Sequence, residues 1–213
     1  MKRTLLLGLL GLVALSRPGF TQNDESTRPD QGAYEGIARQ LVDKGAVLDI
    51  GAKAKVKPSF QKEDPVFSTP VGQPPAVLLR LPEFQAPYRI TVKSSRHGIG
   101  LTTEIFFPSG LLLDAEFKQV GEFGEDRQGP PYMIEGRLGS LENVSVALTL
   151  DANNQHARYL LLFTRGDLIG EPVSVDKGVI EKAVHGAMRA KVERSLHGKV
   201  EVETRPLKNK NDD

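Results

Sequence analysis

Residues 144–163, VSVALTLDANNQHARYLLLF, decide the fold class. Val144, Val146, Leu148 and Leu150 alternate with Ser, Ala and Thr, the period of two that a strand buried on one face requires. Asp151-Ala152-Asn153-Asn154 then supplies turn chemistry, because short Asp and Asn side chains can bond their own backbone. Tyr159 to Phe163 resumes as an unbroken apolar run, which fits a central strand covered on both faces.

The same punctuation extends upstream. Val77 to Leu81 stops at Pro82, and Tyr88, Ile90 and Val92 alternate with polar neighbours. Ile105 and Phe107 run into Pro108-Ser109-Gly110, read as a turn, before Leu111-Leu112-Leu113-Asp114 resumes. Together with 21 Gly and 14 Pro, this spacing predicts a mainly β fold, a β-sandwich or jelly-roll-like domain.

Two segments carry a helical period instead. Tyr34, Ile37, Ala38, Leu41 and Val42 form one stripe, and Gly45 can end it, so a short N-terminal helix is predicted. Ile180, Ala183, Val184, Ala187, Met188, Lys191, Val192 and Ser195 form another, with Ser174 or Asp176 as the start and Gly198 as the stop. That predicts a C-terminal helix, followed by a last strand from Lys199 to Glu203. The organisation expected is a flexible polar leader at 17–33, a single β-rich domain at 34–205 and a charged tail at 206–213.

Ahead of the leader, Lys2 and Arg3 precede the apolar run Leu5 to Leu15 and the small pair Ala14 and Ser16. Charged, apolar, then small is the layout of a secretory signal peptide, here residues 1–16, with cleavage nearer Gln22 as the alternative. The run is shorter than the roughly 20 apolar residues that span a bilayer, so no membrane insertion is expected after cleavage. The expected location is the bacterial periplasm.

Composition narrows the function. The formal charge of +1 falls to −1 when Lys2 and Arg3 leave with the signal. A near-neutral chain offers no basic field for nucleic acid, and no run of basic residues suits anionic lipid. With no cysteine there is no thiol catalysis and no thiolate metal site. The histidines, His97, His156, His185 and His197, share no ligand spacing, so neither metal nor cofactor is expected.

Catalytic candidates are thin. Ser94-Ser95-Arg96-His97 would point neighbours to opposite faces of a strand, and Gly98-Ile99-Gly100 reads as a hairpin loop. Asp114 and Glu116 fall on one face of a presumed strand, with Glu104 on a neighbour, and a glycosidase needs two such carboxyls. Same-face acids on an exposed strand are usually the wet side of a half-buried sheet. For non-catalytic sugar binding the candidate rings are Phe106, Tyr132, Tyr88 and Phe123. Phe106 lies between the presumed inward pair Ile105 and Phe107, and Tyr132 follows Gly129-Pro130-Pro131 in a loop. The chain has no Trp, and core packing is the alternative for every ring.

From Ile37 to Thr204 the order of several phrases resembles the maltose operon periplasmic protein family, MalM. They are Ala38-Arg39-Gln40-Leu41, Pro87 to Ser94 (PYRITVKS), Ile105-Phe106-Phe107-Pro108 with Leu111-Leu112-Leu113-Asp114, Glu135-Gly136, Tyr159 to Thr164, and Gly198-Lys199-Val200. Two departures are the Ala-rich segment around Glu181 to Leu196, where the family is Pro-Asp-rich, and the lack of a long extension before Asp213. The resemblance implies a non-catalytic periplasmic accessory protein linked to maltose and maltodextrin uptake, binding oligosaccharide weakly and bringing no catalytic residues. The alternatives are a cell-envelope protein–protein interaction module with no sugar ligand and, third, a periplasmic glycoside hydrolase.

Overall fold

A computed structural model of the chain describes residues 31–61, 66–69, 72–98, 102–124, 132–137, 140–170 and 191–207. The expected signal, most of the leader, nearly all of the charged tail and residues 180–190 of the expected C-terminal helix lie outside them. The described residues begin with α1 (Gln31–Asp43), then β1 (Val47–Asp49), β2 (Lys55–Val56), β3 (Ser59–Phe60), β4 (Ala76–Arg80) and β5 (Tyr88–Ser95). It continues with β6 (Thr102–Ile105), β7 (Ser109–Leu113), β8 (Gln119–Phe123), β9 (Met133–Arg137) and β10 (Ser140–Leu150). After β11 (Tyr159–Phe163) come β12 (Lys191–Arg194) and β13 (Gly198–Pro206).

The fold is mainly β and forms a sandwich. One sheet runs β1-β4-β11-β7-β8; the other runs β2-β13-β5-β10-β9, with β3 also on β13. Alternation decides which side chain enters which layer. Leu79, Leu112, Phe123, Leu160 and Leu162 of the first sheet meet Ile90, Val92, Val146, Leu148, Leu150, Val200 and Val202 of the second. Leu78, Leu111, Leu113, Leu161 and Phe163 point the other way, onto Tyr34, Ile37, Ala38 and Leu41 of α1. The first sheet is thus covered on both faces, which is why β7 and β11 read as unbroken apolar runs. Each leucine so enclosed contributes about 1.5–3 kcal/mol relative to exposure.

The helix starts inside the expected leader, at Gln31, and ends where its sequence says it should. Gly45 sits at φ 68°. Its N–H bonds to the Val42 carbonyl at 2.9 Å and the Ala46 N–H to the Leu41 carbonyl at 2.8 Å, the paired closing bonds of a glycine-capped helix.

Three local expectations are corrected. Ser109 and Gly110 are not a turn; they open β7, opposite Phe163 and Leu162 of β11. Gly110 serves a close approach instead, since a Cβ there would stand 2.4 Å from the Phe123 ring. The helical stripe expected through Lys191, Val192 and Ser195 gives way to β12, which pairs in parallel with β6. Its buried residues are Val192 and Arg194, a period of two. Val192 packs on Ile105, Phe107 and Val144, and Arg194 lies over the Phe107 ring at 5.6 Å. Finally, Asp114 lies outside any strand, between β7 and β8.

Candidate functional sites: four buried rings, an open sheet face and a polar cluster

The aromatic residues expected to meet sugar are enclosed. Phe106 and Phe123 are 0% exposed, and Tyr88 is 5% exposed with its hydroxyl donating to the Pro82 carbonyl at 3.2 Å. Tyr132 is half-buried; its hydroxyl donates to the Pro108 carbonyl, and its ring meets Phe107 edge-on at 4.6 Å. Phe106 does point away from Ile105 and Phe107, but that direction is the main core, where its ring stacks on Phe60. The structure does not bring the four rings to a common surface. Burial also pushes the Tyr88 phenol up to about 12.

The six-stranded sheet turns its other face outward. Burial alternates along β5 and β13, so Arg89, Thr91, Lys93 and Ser95 share that face with Lys199, Glu201, Glu203 and Arg205. Register sets their partners. Glu201 lies directly opposite Lys93, bonds Lys55 at 2.7 Å, and stands 3.8 Å from Lys57. Lys93 in turn bonds Glu135 at 2.9 Å, and Asn143 bridges Glu135 and Ser95. The result is an alternating row, Lys55–Glu201–Lys93–Glu135, across the sheet. The Lys55 bond holds Glu201 below the usual carboxylate range, and the Lys93 bond does the same for Glu135. Alternation in YRITVKSS and KVEVETR marks the members of this face in the sequence; the partners depend on register, which no local pattern reveals.

A second polar cluster gathers where β6 and β12 meet the ends of β5 and β13. His97 and Glu104 exchange backbone bonds at 2.8 and 2.9 Å, while Ile99 and Gly100 of the expected hairpin loop lie outside the described residues. The Glu104 Oε2 atom accepts the Ser195 hydroxyl at 2.9 Å and lies 3.4 Å from His97 Nε2. Ser195 Oγ also accepts the His197 N–H at 3.2 Å. With its proton on a carboxylate and its lone pair on a backbone amide, Ser195 is not the hydroxyl of a serine–imidazole pair. The Nδ1 atoms of His97 and His197 are buried without a hydrogen-bond partner among the described residues. No group of three His, Asp or Glu side chains suited to a metal occurs among the described residues.

The remaining carboxylates have local work. Asp114 Oδ1 accepts the N–H of Glu116 at 2.9 Å and of Lys118 at 2.8 Å, holding the β7–β8 turn. Phe117 in that turn has φ 69°, a left-handed conformation costing roughly 1–2 kcal/mol. Its ring is fixed between Arg39, 5.1 Å away, and Tyr159, 5.0 Å away, and Arg39 also donates to the Glu116 carbonyl. Glu104 belongs to the other cluster, so the three carboxylates form no common site. His156 is exposed on the 151–156 turn, and His185 lies outside the described residues.

No family model and no curated protein matches the chain. Among solved structures, it is similar to the 1.0 Å crystal structure of the pre-peptidase C-terminal domain of collagenase from Bacillus anthracis. That similarity has 11% identity and a TM-score of 0.31, covering 74% of this chain and 93% of that one. No helix among the described residues is long and apolar enough to cross a membrane.

Proposed function

We propose that the chain is an exported, non-catalytic accessory module of a bacterial envelope that docks a protein partner on the outer face of its six-stranded sheet. Export rests on the signal-like residues 1–16, and the process it serves, maltodextrin uptake, rests on the MalM-like phrases. One observation carries the docking surface: among the described residues, this is the extended sheet face that no other layer covers. The enclosure of Phe106, Phe123 and Tyr88, with Tyr132 half-buried against Phe107, supports a sugar link that runs through the partner.

The test is a photo-crosslinking residue at Thr91, in the middle of the face, compared with one at Gln40, exposed on α1. A specific adduct with one envelope protein from Thr91 and none from Gln40 is the expected result. Equal capture from both positions would overturn the assignment of the face. A melting shift that grows with maltodextrin length would overturn the indirect sugar link, since a ligand at a hundredfold excess over Kd stabilises by about 2.7 kcal/mol.

A further inference from the structure

At one corner of the outer face of the six-stranded sheet two arginines meet directly. Arg205 of β13 lies directly opposite Arg89 of β5, and Thr149 of β10 lies opposite Arg89 on the other side. Arg205 is 74% exposed and donates through Nε to Glu203 Oε1 at 2.8 Å. Arg89 is exposed, and its side chain has no hydrogen bond or ion pair to any described residue. Lys55, opposite Glu203, adds a third cation whose own bond goes to Glu201. Residues 55, 89 and 205 are far apart in the chain, so no linear basic run reveals the corner.

Like charges directly opposite one another destabilise a strand pair, and a guanidinium cannot shed its proton. Glu203 offsets one of the two arginines. An anion able to engage two planar forks at once would offset both.

We propose that Arg89 and Arg205, with the Thr149 hydroxyl beside Arg89, form an oxyanion site for a phosphate group. A phosphate monoester carries roughly −1.5 to −2 charges and three free oxygens, enough to meet both guanidiniums and a hydroxyl. A carboxylate, with one charge and two oxygens, would repeat what Glu203 already does on Arg205. The phosphate is either free in solution or carried by a lipid headgroup. Register, exposure and charge carry this inference independently of the protein-docking reading.

The test follows the arginine Nε–H signals by NMR while the protein is titrated with inorganic phosphate at neutral pH. A parallel arm measures binding to phosphatidylcholine vesicles with and without phosphatidic acid. Phosphate or the acidic vesicles should shift the Arg89 and Arg205 signals. Arg89→Gln and Arg205→Gln should each weaken that binding at least tenfold, while Lys199→Gln leaves it unchanged. Binding to inorganic phosphate alone assigns a free ligand; binding that needs phosphatidic acid assigns a headgroup. If neither probe moves those signals, or Arg89→Gln binds as well as the parent, the corner takes an adventitious ion only and the proposal falls. Crosslinking from Thr91 would be untouched by that failure.

Discussion

The ring of Phe106 lies on that of Phe60, with centroids 4.1 Å apart and planes 23° from parallel. This contact joins the short strand β3 to the chain leaving β6, and Gly198 closes over it: a Cβ at Gly198 would stand 2.7 Å from the Phe106 Cβ. Phe106→Ala should therefore destabilise the protein by about 3–5 kcal/mol, read as a lower urea midpoint. Gly198→Ala should also destabilise it, by about 1–3 kcal/mol through overpacking. If Phe106→Ala instead unfolded like the parent and lost affinity for maltodextrin, the ring would return as a sugar platform.

The same residue shows where sequence reading stops. The strands around Val144–Leu150 and Tyr159–Phe163 were legible because regular alternation reports which faces are covered. The end of α1 was legible at Gly45, because one glycine supplies the conformation its closing bonds need. Alternation placed Phe106 opposite Ile105, which is correct. It could not say that both sides are interior, because β6 ends at Ile105 and the chain turns into the core. Lys191 to Arg194 matched a helical stripe locally, and pairing with residues 102–105 overrides it. On the candidate face, Lys93 and Glu135 are each identifiable as outward residues, but their bond spans 42 positions and depends on register through β10.

The ionic row on that face fixes a pH response. Glu201 and Glu135 are held below their usual 4.5, so their contribution is present above that value and is lost as pH falls through their folded values. Lys55 is held above 10.5, so its contribution is present below that value and is lost as pH rises through its folded value. The pairs are exposed, so salt weakens them and the effect is modest. Urea midpoints measured near neutrality and near pH 3 should differ less in the Glu135→Gln/Glu201→Gln variant than in the parent. An unchanged difference would mean that the row adds nothing to folding.

Tyr88 adds an alkaline response. Burial pushes its phenol up to about 12 from an ordinary 10.0. Between those values the folded chain keeps a proton that the unfolded chain has lost, so stability falls as pH rises through that window. Tyr88→Phe should remove one step near pH 12 from a phenolate absorbance titration and lessen the alkaline loss of stability. Near neutrality it should cost about 0.5–1.5 kcal/mol for the lost bond to the Pro82 carbonyl. A titration that keeps all its steps after the substitution would mean that Tyr88 does not titrate there.

Asp114 and Glu116 separate a structural role from a catalytic one. Asp114 Oδ1 gathers two backbone N–H groups in the β7–β8 turn, at 2.9 and 2.8 Å, whereas Glu116 contributes its backbone alone to the bonds described. Asp114→Ala should lower stability by about 1 kcal/mol, because the freed amides recover part of their bonding from water at this exposed turn. Asp114→Asn keeps an oxygen in place and should recover most of that loss. Glu116→Ala should stay within about 0.5 kcal/mol of the parent. A pair of catalytic carboxyls would behave differently: both alanine variants would abolish release of reducing ends from a glucan while leaving the urea midpoint alone. The turn geometry predicts unequal effects on stability and no such release from the parent, and the two measurements made together decide between them.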